Sequence, residues 1–344
     1  MRIVVDVAPL SHPRTGVGNY IRGSLRGIAE AGGAELVAFA PASASGKRLI
    51  ESALDGIAAE RRLPVIPAPH TLRTLWSRAG RPPVERIVGR LDVFHFSDWW
   101  YPPQRAGIRS TMIHDLVPLH FPDWVHGRTR RMHGAKYRHA AHACDVVMVN
   151  SQFTADDVAT TLGIDRSRIH VAYPGVGDEF TPDGPRAEGD YVLAVGTLEP
   201  RKNLANAIAA AQRSGVELRV VGPRGWGGVD ARGATWIEYP RDEELPALYR
   251  GATAFVYPSR FEGFGIPVIE AMACGTPCVV SSHPSLDESA GGAAIRVDPD
   301  DVDGIAAGIE RARAESEDLA RRGLEHARGF TWRANGLAHL EAWR

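Results

Sequence analysis

Two short segments of the 344-residue chain carry side chains whose types and spacing suit chemistry on a phosphorylated carbohydrate. The first runs from Pro258 to Pro277 and holds Glu262 and Glu270 around a loop containing Gly263 and Gly265. A helix start near Ile266 would offer backbone N–H groups with no partner inside the helix, and these donors together with the helix dipole favour a phosphate or sugar oxygen. Ionised carboxylates accept paired hydrogen bonds from vicinal hydroxyls. The two glutamates therefore suit a ribose at one end of an elongated ligand and a hexose at the other. Taken singly, each is more simply an acid near a helix N-terminus. The second segment, from Val195 to Asn203, presents Arg201 and Lys202 just beyond a strand and a glycine. A departing diphosphate needs compensating positive charge, which two cations supply without a metal. Either cation alone reads as part of a solvated loop.

The elements that must position these residues are short β-branched runs alternating with Ala- and Arg-rich helical stretches, the pattern of parallel sheets covered on both faces. Strands are expected at 2–7, 35–39, 63–66, 92–96, 110–114, 145–149 and 168–172. Pro174, Pro182 and Pro185 then make 174–190 a candidate linker. Beyond it strands are expected at 191–195, 218–221, 235–239, 254–257 and 278–280, with helices over 202–213, 242–250 and 266–274. Residues 300–344 read as helical, with breaks near Gly323 and Gly329. The expectation is an α/β protein of two doubly wound Rossmann-like domains, 1–173 and 191–329, with a helix over 330–344 able to cross back to the first. Open sheets of this kind bind ligands at the carboxyl ends of their strands, although fold alone names no reaction.

The stretch Phe261 to Pro277 with its paired glutamates, taken with Gly196 to Asn203, resembles glycosyltransferase family 4, a group of retaining, nucleotide-sugar-dependent enzymes of GT-B architecture. Further matches follow in the family's order: Arg14-Thr-Gly-Val-Gly-Asn-Tyr, His114-Asp-Leu-Val-Pro, Asn150-Ser-Gln-Phe-Thr, Tyr173-Pro-Gly-Val and residues 292–301. The likeness thins between about 45 and 90. It implies two domains facing across a cleft, the first for the acceptor and the second for the nucleotide-sugar. Arg201 and Lys202 would hold the diphosphate, Glu270 the ribose and Glu262 the donor sugar. Backbone amides of Phe264, Gly265 and Ile266 would lie near sugar and phosphate. Gly16 would approach the phosphates, and His114 would position the donor sugar, with Asp115 orienting it or capping its loop. Transfer would retain the anomeric configuration, the departing phosphate taking the acceptor's proton. The segment His114 to Pro118 resembles mannosyltransferase members and points to GDP-mannose, with UDP- and dTDP-sugars left open. Two rivals remain: a sugar phosphorylase or nucleotide-sugar epimerase on the same fold, and a non-catalytic sugar-nucleotide-binding partner of an active transferase.

Composition narrows the remaining classes. The 40 Lys and Arg against 41 Asp and Glu give a net charge of -1, which argues against a dedicated nucleic-acid binder. Only Lys47, Lys136 and Lys202 are lysines. Cys144, Cys274 and Cys278 make no disulfide framework and read as small buried residues. No apolar run reaches the 18 or so residues of a membrane span, and the N-terminus lacks a signal-peptide core. A cytoplasmic protein is expected. Asp298-Pro-Asp-Asp is better read as a helix cap by Asp300 or Asp301 than as a metal motif, and His126, His133, His139 and His142 lack an acidic cluster, so neither metal nor other cofactor is expected. Arg128, Arg131 and Arg138 share part of a helix face that could meet anionic lipid at the inner membrane surface or a phosphorylated acceptor, although a solvated face is the plainer reading. Trp99, Trp100 and Tyr101 are candidates for stacking on a glycan, lipid-linked or small-molecule acceptor.

Overall fold

The computed structural model describes residues 1–12, 15–66, 72, 75–76, 80–97, 101–225, 232–238, 240–241 and 243–344. The chain divides into two compact units, Met1–Gly175 with Thr331–Arg344, and Val176–Phe330.

In the first unit the strands are β1 (Arg2–Asp6), β2 (Glu35–Phe39), β3 (Glu60–Arg62), β4 (Val93–Phe96), β5 (Ile108–Ile113), β6 (Val146–Val149) and β7 (Ile169–Val171). They pair in parallel in the order β3-β2-β1-β4-β5-β6-β7. Such a sheet must be covered on both faces, and successive strand residues serve opposite layers. Ile3 and Val5 join one core layer while Val4 joins the other. The second unit repeats the scheme with β8 (Tyr191–Val195), β9 (Glu217–Val221), β10 (Thr235–Ile237), β11 (Ala254–Tyr257), β12 (Cys278–Ser281) and β13 (Ala294–Val297). Their order is β10-β9-β8-β11-β12-β13, again parallel. Strand order reverses between β8 and β11, so the carboxyl ends of these two strands flank the switch point where doubly wound sheets hold ligands.

The terminal helix Trp332–Ala342 belongs to the first unit and lies on the helix Gly16–Ala31. Thr331 caps it, its hydroxyl accepting the Ala334 N–H at 3.1 Å. Buried Asn335 donates to the Tyr20 hydroxyl at 3.1 Å and the Tyr173 carbonyl at 2.7 Å, and Trp343 Nε1 donates to Ser110 Oγ at 2.9 Å. The two helix backbones meet at Gly27 and Gly336, where a Cβ on either would overlap the facing backbone. Gly27→Val is therefore expected to cost about 1–3 kcal/mol through overpacking and to lower the melting temperature by several degrees. An unchanged melting curve would show that the helix is not held by this contact.

Several boundaries differ from the sequence reading. The third strand lies at Glu60–Arg62 rather than 63–66; Val65 contributes only an isolated bridge to Ala42. The edge strand Ala294–Val297 was not expected. Gly323 does not break its helix but sits within Ser316–Ala327, where the missing side chain admits Met272. From Val176 onward the proline-rich stretch is part of the second unit, pinned by Arg250, whose guanidinium donates to the carbonyls of Pro185 at 2.7 Å and Thr181 at 3.1 Å. Cys144, Cys274 and Cys278 are buried and unbridged. Among the described residues no helix is long and apolar enough to cross a membrane.

Candidate active site

Past β8 the chain makes a single 3-10 turn, Pro200–Lys202, before the helix Leu204–Arg213. Past β11 it loops through Phe261 to Gly265 before the helix Ile266–Ala273. These neighbouring connections bring three of the expected residues into direct contact. Lys202 Nζ donates to Glu262 Oε1 at 2.7 Å and to the Tyr257 hydroxyl at 2.6 Å. The Tyr257 hydroxyl in turn donates to Glu262 Oε1 at 3.0 Å. Arg201 grips Glu262 Oε2 with one nitrogen and Glu199 Oε1, at 2.8 Å, with another. Lys202 is 8% and Glu262 6% exposed, so the ion pairs are largely shielded from water.

This arrangement differs in one respect from a basic pair open to phosphate. The formal charges of Arg201 and Lys202 are balanced by Glu262 and Glu199, as burial requires, because an unpaired charge at this depth costs several kcal/mol. Burial acts to raise the Glu262 pKa, but Arg201 and then Lys202 outweigh it and hold the carboxyl at about 2. Burial, with Arg201 beside it, lowers the Lys202 ammonium. Because the folded-state pKa of Glu262 lies below its ordinary 4.5, the pair stabilises the protein fully above about pH 4.5 and is lost as pH falls toward 2. The stability difference between the parent and Glu262→Gln, measured by urea unfolding, is expected to be on the order of 3 kcal/mol at pH 6 and to shrink across that window. A difference independent of pH would remove the ionised pair from the account.

The other expected donor contacts surround this cluster. Gly265 caps the helix with φ of 102°, and a Cβ there would lie 2.6 Å from Leu286 and 2.9 Å from Ser289, so glycine is required on both counts. Phe264 packs edge-on against Phe330, ring centroids 5.3 Å apart, and Ile266 opens the helix. Glu270, one turn further on, accepts from the Tyr249 hydroxyl at 3.1 Å. Glu199, Tyr257 and Tyr249 were not singled out from sequence. Glu199 and Tyr257 lie within or beside the two informative segments, and that adjacency was the available signal.

The remaining candidates lie in the first unit. His114 immediately follows β5, meets Tyr20 edge-on at 5.0 Å, and has a buried Nε2 with no hydrogen-bond partner among the described residues. Burial, with Lys136 and His133 nearby, depresses its pKa to about 3, so the ring is neutral at pH 7. Asp115 caps the loop, accepting the Val117 N–H at 3.0 Å. Gly16 begins the helix Gly16–Ala31, and among the described residues an added Cβ would meet nothing within 4 Å. Tyr101 lines a cavity of about 230 Å³ with Trp76, Phe94, Phe96 and Arg109, and stacks on His139 at 3.2 Å. Trp99 and Trp100 lie outside the described residues. Asp301 caps the helix Val302–Ala314 through the Gly304 N–H at 3.0 Å, while Asp300 pairs with Arg260. Among the described residues no three His, Cys, Asp or Glu side chains group as a metal site.

Comparison with known proteins matches both units to known families. The model of glycosyl transferases group 1 matches residues 178–328, and that of Glycosyltransferase Family 4 matches 14–180. The O-antigen chain mannosyltransferase B of Escherichia coli is 29% identical over 377 residues, covering 96% of each chain. HepE of Anabaena, solved with UDP and glucose, superposes with a TM-score of 0.71 at 16% identity over 99% of this chain and 98% of its own. Sucrose-phosphate synthase of Thermosynechococcus elongatus gives 0.68 at 17% identity over 100% and 98%. With both units matched in order and the paired Rossmann-like sheets in place, this chain is a glycosyltransferase of GT-B architecture and belongs to the group 1 and family 4 glycosyltransferases.

Proposed function

We propose that this enzyme transfers mannose from GDP-mannose to a hydroxyl of a glycan, lipid-linked or small-molecule acceptor, with retention of the anomeric configuration. The observation that carries the reading is the buried Arg201–Lys202–Glu262 cluster at the β8/β11 switch point. The mannosyltransferase name of a relative that aligns along 96% of the chain supports the sugar, and the UDP and glucose bound by HepE support a nucleotide-sugar donor.

In this account the bond from the anomeric carbon to the phosphate oxygen breaks as Arg201 and Lys202 stabilise the charge growing on the diphosphate. The acceptor hydroxyl attacks on the same face and yields its proton to the departing phosphate, so no side-chain base is needed. Glu262 accepts from the donor sugar's hydroxyls and Glu270 from the ribose, and the Phe264 to Ile266 backbone supplies donors near the phosphate. His114, neutral at working pH, serves as a hydrogen-bonding group toward the sugar rather than as a cation. Gly16 contacts phosphate, and Tyr101 the acceptor. Two side-chain cations meet the leaving charge, so the reaction as proposed uses no metal. The enzyme works in the cytoplasm, against the inner face of the membrane when its acceptor is lipid-linked.

A thermal-shift screen with GDP, UDP, dTDP and ADP tests the donor, because a ligand that binds only the native state raises its melting temperature. GDP is expected to give the largest rise. A larger rise with UDP would reassign the base, and no rise with any of the four would overturn the nucleotide-sugar reading.

A further inference from the structure

Beyond β12 the chain reaches a buried serine and a half-buried histidine that touch the Glu262 loop and that no role above uses. The Glu262 N–H donates to Ser285 Oγ at 3.0 Å. Ser285 Oγ lies 2.9 Å from His283 Nδ1, and the Ser285 N–H points to the same ring nitrogen at 3.2 Å. A nitrogen that accepts a backbone N–H carries no proton itself, so the serine hydroxyl must donate to it. The chain of donation therefore has one direction, from Glu262 N–H to Ser285 Oγ–H to His283 Nδ1. The imidazole also packs at 5.4 Å against Phe261, the residue preceding Glu262. Its own backbone is held in turn: the His283 N–H donates to Ser281 Oγ at 3.2 Å, and Arg296, paired with Asp287 at 2.8 Å, donates to the carbonyls of Ser281 and His283 at 3.0 and 3.2 Å.

We propose that His283 and Ser285 are positioning residues for the Glu262 carboxylate, fixing the backbone from which it reaches the donor sugar. The proposal rests on the reading of Glu262 as the sugar-binding carboxylate. Two independent contacts, one polar through Ser285 and one ring against Phe261, bear on the same short loop. Loss of either leaves the Arg201 and Lys202 contacts of Glu262 in place, so the carboxylate stays paired while its aim at the sugar is relaxed. Errors of about 1 Å at a reacting group can cost as much as a hundredfold in rate.

The test compares His283→Leu, His283→Asn and Ser285→Ala, with GDP-mannose as donor and GDP as the sugar-free probe. His283→Leu and Ser285→Ala are expected to lower kcat/KM for GDP-mannose about tenfold while leaving GDP affinity within twofold of the parent. His283→Asn offers a carbonyl oxygen near the Nδ1 position and should recover most of the loss. A general collapse of the loop would instead weaken GDP and GDP-mannose alike, and Asn would not rescue it; that result, or parent-like activity of His283→Leu, overturns the proposal. Glu262→Gln, assayed alongside, separates the two readings. If Glu262→Gln is impaired and the His283 and Ser285 variants are not, only the positioning role fails. If Glu262→Gln turns over GDP-mannose normally, the sugar-binding reading fails with it.

Discussion

Replacing Glu262 by alanine is expected to lower transfer more than tenfold, a loss of about 1.4 kcal/mol or more of transition-state stabilisation. Two effects act together. The carboxylate proposed to accept from the donor sugar is gone, and Lys202 and one face of Arg201 lose a partner in a site where Glu262 is 6% and Lys202 8% exposed. Breaking one side of a buried pair typically costs about 3–5 kcal/mol of stability, so the alanine variant should also melt earlier. Glu262→Gln keeps the side-chain shape while removing the charge and turning one acceptor oxygen into an NH2 donor, so it separates loss of the carboxylate from the cavity that alanine leaves. Steady-state assays on both variants, at a temperature where circular dichroism shows each folded, provide the check. Near-parent turnover in both would remove Glu262 from the donor site.

Lys202→Ala carries the second large effect, again more than tenfold in transfer. The ammonium stands between the Tyr257 hydroxyl at 2.6 Å and Glu262 at 2.7 Å, where no other lysine of the chain can replace it. Its removal leaves Glu262 held by Arg201 and the Tyr257 hydroxyl and withdraws one of the two charges proposed to face the leaving diphosphate. Because that charge matters most as the phosphate departs, the loss should fall on kcat at least as much as on KM. Lys202→Arg would not be a neutral test, since a planar fork does not reproduce a compact ammonium. Unchanged kcat in Lys202→Ala would move the leaving-group charge elsewhere.

The strands at the site were legible because they are short, bounded and apolar on both faces: β8 and β11 fall where Tyr191–Val195 and Ala254–Tyr257 were read, and the helix from Ile266 follows its glycine. Edge strands were harder. Glu60, Arg61 and Arg62 pair on only one side and carry the polar residues that edges tolerate, so the apolar Leu63 drew the reading three residues onward. At Gly323 a residue that breaks isolated helices is kept inside one by the close approach of Met272, a tertiary effect with no local trace. The same holds at the site. Arg201, Lys202 and Glu262 stand out within their own segments, whereas the partners that neutralise and aim them do not. Glu199 matters only once Arg201 folds back on it, and Ser285 only once β12 lies beside β11.

On this reading a nucleoside diphosphate sugar is held where Arg201, Lys202 and Glu262 meet. Calorimetric titration of the nucleoside diphosphate that most stabilises the parent, into the parent and into the Arg201→Ala/Lys202→Ala variant, reads that claim without needing the acceptor. Saturable binding by the parent and at least a hundredfold weaker binding by the folded variant, a loss of about 2.7 kcal/mol or more, is the expected result. Equal affinity in the two proteins would contradict it.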